Sequence, residues 1–396
     1  RDLHPVAHSF PTRRSSDLNQ LATAWVAPRP EPHIAAVNGH YQHWRTQPAD
    51  ATTTFYNTHI LEGGHFSGSI NYSVGCHAGL NVPDQSSQAG SWNPDYPQVF
   101  GRKTAVWVAN TGYGYGMDDA IAGSEAVYLY FQQMLGSEDQ ISAGEALRRA
   151  KWYFWERLGT GGCGGYEEKS LNEVVLYGLP MYRVDLPHTV RLESQEQQLD
   201  LRRKGIGAAS AEIPLTLDLN YGSVTVEAGT YYHIGGEIQA NAGRPIQPRT
   251  SYVLNPSGED QVHGVVILEG SFQTIPDFDP VIYRPVTDTA KPEPGFSYDG
   301  WYPNQFWSLN TLGPEDRLVL VPGQYLSDGE QTGTERLFEQ IKVLVLVSSD
   351  PDGSPPAIYE VGAEGWAGRF AVWADIQDVD SGMDRVWVTY EDQEGH

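Results

Sequence analysis

Between Pro32 and Val184 short β-branched runs alternate with stretches whose apolar residues recur at helical spacing, and few folds accept that alternation. Strands separated by helices pair side by side in one direction, so the pattern predicts an α/β domain with a mostly parallel sheet flanked by helices. The candidate strands read "I-A-A-V-N", "S-I-N-Y-S-V", "T-A-V-W-V-A-N" and "E-V-V-L-Y". Two helices are expected between the third and fourth, over 120–135 and 143–158. Ser142 with Glu145 three residues on marks the start of the second as a capping box. Within it Ala146, Leu147, Ala150, Tyr153, Phe154 and Leu158 fall on one stripe, which makes them core rather than ligand site.

Beyond Pro187 the character changes. The charged stretch "R-L-E-S-Q-E-Q-Q-L-D-L-R-R-K" lacks strong apolar periodicity and reads as a solvated linker, placed at 191–212 between a first domain over 19–190 and a second over 213–350. The second is rich in short Val, Ile, Thr and Tyr runs divided by Gly, Pro, Asn and Asp, so an all-β sandwich is expected, with one helical candidate over 335–342. After the turn cluster "S-S-D-P-D-G-S-P-P", residues 356–396 look like the first strands of a truncated immunoglobulin-like module. Its acidic turn holds Asp375, Asp378, Asp380 and Asp384, for which structural calcium is one reading and a solvated turn the other.

Fifty acidic against 26 basic side chains give a net charge of −24, which repels nucleic acid and anionic membrane surfaces. No run of about eighteen apolar residues occurs, so the visible chain has no membrane-spanning segment. With only two cysteines, Cys76 and Cys163, neither a disulfide framework nor a four-cysteine zinc site can be built. Residues 8–18, "H-S-F-P-T-R-R-S-S-D-L", match one reading frame of a common short-read sequencing adapter. Residues 1–18 are therefore taken as an adapter-derived artefact and left out of the fold, with any natural leader and first strands lost with it.

Cys76 ends the run "N-Y-S-V-G-C-H-A-G-L-N-V". A cysteine nucleophile must reach the thiolate, which a neighbouring imidazole achieves by accepting its proton. His77 is next in sequence, but on an extended strand it would point to the opposite face. His40, in "I-A-A-V-N-G-H-Y-Q-H-W", ends another apolar strand and would reach the same carboxyl edge of the sheet, where α/β proteins place their sites. Three other readings stand beside this one. Cys76 is a small buried thiol in the first. In the second, His40, His43, His59, His65, His77 and Cys76 hold zinc. In the third the α/β domain is degenerate and the β modules bind carbohydrate or a cell surface through aromatics such as Tyr231, Tyr232, Trp301, Tyr302, Phe306 and Trp307. Thiol alkylation inactivates a cysteine enzyme and chelation a metal enzyme, which separates the first two kinds of chemistry.

The chain resembles the gingipain-type peptidases of the caspase-like cysteine protease clan. The resemblance lies in Gly39-His40 after "A-A-V-N", Cys76 36 positions on after "Y-S-V-G", then "A-V-W-V-A-N-T-G-Y-G-Y-G-M-D-D", "G-E-A-L-R-R-A-K-W-Y" and "N-E-V-V-L-Y-G-L-P-M-Y-R-V". It covers about 34–184 and implies a caspase-like fold and a cysteine-type endopeptidase acting on proteins or peptides, without a cofactor. By that resemblance Cys76 attacks the scissile carbonyl and His40 protonates the leaving amine, while the backbone N–H groups of Cys76 and Tyr41 hold the oxyanion. Tyr41 stands where the family usually has glycine, and the acidic residue that orients the histidine in some members lies upstream, in a region that here precedes Asn19. The residues after the third strand would wall the substrate pocket: Tyr113 and Tyr115 as aromatic walls, Asp118 or Asp119 as a countercharge for Arg or Lys before the cleaved bond. Capping of the next helix is the competing role for the two aspartates. The same resemblance implies a secreted or surface-attached bacterial protein.

Overall fold

The computed structural model describes residues 25–26, 34–47, 53–82, 94–137, 141–158, 164–183, 197–201, 210–256, 260–285, 296, 298–311, 315–329, 332–349, 357–366, 369–377 and 388. Residues 1–18, Cys163, Asp378, Asp380 and Asp384 lie outside these. The α/β region begins with β1 (Ile34–Ala36), then a small antiparallel sheet of β2 (His40–Gln42), β3 (Arg45–Gln47) and β4 (Phe55–Tyr56), followed by α1 (Thr58–Glu62) and β5 (Ile70–Ser73). Next come α2 (Tyr96–Arg102), β6 (Val106–Asn110), α3 (Gly123–Ser137), α4 (Ala143–Arg157), α5 (Gly165–Glu173) and β7 (Val174–Tyr177). The main sheet has the order β1-β5-β6-β7, with the first three strands parallel and β7 antiparallel to β6.

Both faces of this sheet are covered, which is why the β6 run "V-W-V-A-N" is buried at every position. On one face Ile70, Tyr72, Val106 and Val108 pack with the stripes of α3 and α4. On the other, Trp107 and Ala109 pack with Tyr96, Val99 and Phe100 of α2, with Ile60 of α1 and with Tyr41 of the small sheet. The residues of the expected α4 stripe are all buried, and the Ser142 hydroxyl accepts the Glu145 N–H at 3.3 Å. The Glu145 carboxylate turns outward to Arg148 and Arg149.

The β region consists of β8 (Gln197–Leu201), β9 (Ser210–Asp218), β10 (Gly222–Val226), β11 (Gly229–His233), β12 (Ile238–Gln239), β13 (Gln247–Pro248), β14 (Thr250–Pro256), β15 (Gln261–Phe278), β16 (Trp301–Tyr302), β17 (Trp307–Asn310), β18 (Asp316–Leu320), β19 (Gly323–Ser327) and β20 (Gly333–Ser348). One sheet runs β17-β18-β14-β8 and a second β15-β20-β19-β16, with β9 also on β20. Leu254, Leu318 and Leu320 of the first share a core with Val265, Ile341 and Val343 of the second, so the two sheets pack face to face. Two expectations are corrected here. The helical candidate over 335–342 is strand, because β20 pairs with β15, β9 and β19 and buries Leu337, Phe338 and Ile341. Part of the supposed solvated linker is β8, paired parallel to β14; Leu199 and Leu201, two residues apart, face the core of the two sheets.

The last strands among the described residues are the hairpin β21 (Ala357–Trp366) and β22 (Arg369–Gln377), which within those residues pair only with one another. Of the aromatics proposed to stack on sugars, Tyr231 and Tyr302 are buried in core clusters, and Phe306 and Trp307 pack against the core of the sandwich. Among the described residues no helix is long and apolar enough to cross a membrane.

Candidate active site around Cys76

The register places Ala36, Tyr72 and Val108 side by side, so the segments leaving β1, β5 and β6 emerge together at the carboxyl edge. Because β7 runs the other way, with Val174 opposite Asn110, its first residue and the preceding Glu173 arrive at that same edge. Antiparallel β7 thus adds the end of α5 to the three segments expected from sequence.

Strand β5 stops at Ser73 and the chain turns through 75–79. Nearly every peptide of this turn is gripped by a neighbour. The Val74 N–H donates to Asn38 Oδ1 (3.1 Å) and its carbonyl accepts from Asn110 Nδ2 (2.7 Å). The His77 N–H donates to the Gly112 carbonyl (2.6 Å) and the Gly79 N–H to the Asn110 carbonyl (2.7 Å). Trp107 Nε1 donates to the Ala78 carbonyl (2.8 Å) and the Tyr177 hydroxyl to that of Gly79 (2.6 Å). Such support from buried side chains fixes the position of the residue the turn presents. That residue is Cys76, 7% exposed, whose Sγ accepts the Gly114 N–H at 3.3 Å. The thiol also donates to the Gly114 carbonyl at 3.9 Å, a bond lost on ionisation, while the Gly114 N–H remains as a donor to a thiolate.

His40 does not end β1: that strand stops at Ala36, and His40 begins β2 with its side chain exposed. Its neighbours nevertheless sit directly on the Cys76 turn. A Cβ at Gly75 would overlap the Tyr41 ring and approach the Gly39 carbonyl oxygen to 2.9 Å, so segment 39–41 lies against the residue preceding the cysteine. The Tyr41 ring points inward, against Tyr96 and Trp107, with its hydroxyl donating to the Val37 carbonyl at 3.0 Å. Burial pushes that hydroxyl's pKa up.

The objection to His77 from strand geometry falls away, because His77 is in a turn and has a left-handed φ of 58°. Its ring lies 4.8 Å from that of Tyr113, edge to face. Tyr113, 38% exposed, is therefore beside the cysteine turn. Tyr115 is not: it is buried against Tyr166, and its hydroxyl accepts from Lys169 Nζ at 3.4 Å. Asp118 and Asp119 lie further along the same loop. Their loop packs Met117, Ala120 and Ala122 against Tyr231, Ile246, Val281 and Tyr283 of the β region. Asp119 is raised by burial and then by Asp118 and Glu227, with Arg284 opposing. Helix α3 starts at Gly123, too far along for either aspartate to be its N-cap.

Two residues not singled out from sequence belong to the site. Gly114 supplies the donor to sulfur. Glu173 places its carboxylate beside Gly112, where a Cβ on that glycine would lie 2.6 Å from it, and accepts the Tyr113 N–H. Burial raises the Glu173 pKa, with Lys169, His77 and the Tyr113 N–H opposing. His43 is held below the usual imidazole range by burial and then by His77, which lies within electrostatic reach of it. A sequence signal for the turn's supports existed: "I-A-A-V-N" and "W-V-A-N" both end on asparagine, and Asn38 and Asn110 are the two residues that clamp Val74. Among the described residues no three His, Cys, Asp or Glu side chains converge as a metal site requires.

No family model matches the chain, and no curated protein matches it. Among solved structures it is similar to a complex of Porphyromonas gingivalis RgpB pro- and mature domains, at 20% identity, covering 37% of this chain and 82% of that one, with a TM-score of 0.26. It is also similar to a structure concerned with the zymogenic latency of gingipain K from Porphyromonas gingivalis, at 14% identity over 37% of this chain and 97% of that one, again with a TM-score of 0.26. At that TM-score the likeness defines neither fold nor activity, and both rest on the chain's own residues.

Proposed function

We propose that the chain is a cysteine-type endopeptidase acting on proteins or peptides, with Cys76 as nucleophile and His40 as its imidazole partner. The observation that carries this reading is the Cys76 turn itself: a sulfur at the carboxyl edge of the sheet, bonded to the Gly114 N–H, with segment 39–41 packed on Gly75. In the proposed reaction the thiol proton passes to His40 and the thiolate adds to the scissile carbonyl carbon. The oxyanion is held by the N–H groups of Cys76 and Tyr41, the protonated imidazole gives its proton to the leaving amine, and water hydrolyses the thioester. Tyr113 walls the substrate cleft. Arg or Lys before the cleaved bond is the proposed preference, with Asp118 or Asp119 as the proposed countercharge; a peptide library in which Asp or an apolar residue is preferred there would end it. A secreted or surface setting is proposed with the same resemblance to gingipain-type peptidases.

The test is labelling by an irreversible thiol probe directed by a basic residue. Wild type is expected to label, Cys76→Ala not at all, and His40→Ala at least ~100-fold more slowly, the usual cost of losing a general acid–base group. Labelling and cleavage that survive in Cys76→Ala, or that chelators rather than alkylating agents abolish, would overturn the reading.

A further inference from the structure

We infer that Cys76 has a second imidazole beside it, His77, and that Glu173 is the positioning residue that holds this imidazole, giving a Cys76–His77–Glu173 constellation distinct from the pairing with His40. The inference deepens the reading of Cys76 as nucleophile and rests on it. Its geometric basis is the strip 112–114, which runs along the cysteine turn. The Gly112 carbonyl accepts the His77 N–H, the Tyr113 ring faces the His77 ring, and the Gly114 N–H reaches Cys76 Sγ. Glu173 binds the same strip, through the Tyr113 N–H and against Gly112.

Within this arrangement two buried atoms make no hydrogen bond: His77 Nδ1 and Glu173 Oε2. One is a donor when protonated and the other is an acceptor. A buried polar atom left unpaired costs about 1–3 kcal/mol, and each of these residues lies within electrostatic reach of the other. An Nδ1–H on His77 is the kind of donor that the carboxylate oxygen lacks. His77 is thus a second acceptor for the one Cys76 thiol proton, alternative to His40; when His77 takes it the sulfur is left as thiolate, with the Gly114 N–H on the sulfur and the Glu173 carboxylate within electrostatic reach of the ring.

The other charged and titratable groups around the pair are known. His43, on the turn between β2 and β3, opposes a charge on His77, while Lys169, four residues before Glu173 on α5, competes for the carboxylate and is drawn to the Tyr115 hydroxyl. The Tyr113 hydroxyl edge is exposed. Glu173 therefore acts through His77 and touches no substrate.

The experiment is the pH dependence of Cys76 alkylation by iodoacetamide, with the modified peptide quantified by mass spectrometry so that Cys163 does not contribute. It reads thiolate formation and needs no peptidase turnover. Wild type is compared with Glu173→Gln, His77→Asn and His40→Asn; asparagine is chosen at 77 because it tolerates a left-handed φ. Both Glu173→Gln and His77→Asn are expected to slow alkylation about 10-fold at pH 6.5, one unit of apparent pKa, with rates at pH 9.5 within about twofold of wild type. A change at both pH values would mean a merely structural role and would overturn the inference. So would a shift carried by His40→Asn alone, an outcome that leaves the proposed function standing. Shifts in both variants from a chain that cleaves no peptide would leave this constellation standing and remove the proposed function.

Discussion

Replacing Glu335 with glutamine is expected to raise the thermal stability of the β region at pH 9 while leaving it nearly unchanged at pH 5. Glu335 lies on β20, 1% exposed, and burial and the Gln247 side chain are what shift its carboxyl. Its neighbours are Gln247, whose Nε2 donates to Oε2 at 3.3 Å, and the phenols of Tyr221, Tyr232 and Tyr325. Burial pushes its carboxyl up to about 8. The neutral acid also fits the hydrogen bonding better than the anion. Both Glu335 Oε1 and Gln247 Oε1 are buried and unbonded, and a proton on the first supplies the donor that the second lacks.

The sign of the pH effect follows from linkage. Between the ordinary carboxyl value of 4.5 and about 8 the folded state holds a proton that the unfolded state has released, so stability falls as pH rises through this window. At about 1.4 kcal/mol per unit the ceiling is roughly 5 kcal/mol, which corresponds to a fall in Tm on the order of 10 °C for a region of this size. Glu125, raised to about 7 by burial, adds a smaller slope of the same sign. Differential scanning calorimetry from pH 5 to pH 9 measures both. The acidic chain repels itself more strongly as pH rises, so the decisive quantity is the difference between variant and wild type: parallel curves for Glu335→Gln would show that Glu335 is not held neutral.

What the sequence made legible, and what it hid, divides along a physical line. Strands buried on both faces announce themselves as uninterrupted apolar runs, as β6 does, and α4 carries its stripe and its Ser142 cap in plain view. β20 misled because its first half, "T-E-R-L-F-E-Q-I-K", has residues of good helix propensity at helical spacing, while three neighbouring strands impose extension. β8 hid inside a charged stretch because only Leu199 and Leu201 mark its inner face. In the candidate site, Cys76 and the strand-end asparagines belong to local patterns. Glu173 does not: its place depends on β7 reversing direction, a property of the sheet that no short stretch records. His77 is misplaced from sequence for the same kind of reason: treating it as strand extends β5 four residues past its end at Ser73, into the left-handed turn.

The proposed dyad depends on contact between two segments distant in sequence, and Gly75 is where that contact is made. Gly75→Ala would drive a Cβ into the Tyr41 ring and toward the Gly39 carbonyl. The Tyr41 ring cannot retreat, since Tyr96, Trp107 and the hydrogen bond to Val37 fill the space behind it. Nor can the other side yield easily, because Asn38 and Asn110 clamp Val74. The strain is therefore relieved by moving the start of β2, and His40 moves with it. A displacement on the order of 1 Å between reacting groups is enough to cost ~100-fold in rate, so kcat/KM for a peptide substrate is expected to fall by about that factor. Alkylation of Cys76 at pH 9, where a thiol ionises without the help of an imidazole, is expected to change by less than about threefold. Tyr41→Ala should open the space and, combined with Gly75→Ala, recover part of the lost activity. Equal kcat/KM in Gly75→Ala and wild type would mean that segment 39–41 has no part in the chemistry, and His40 would have to be given up as the partner of Cys76.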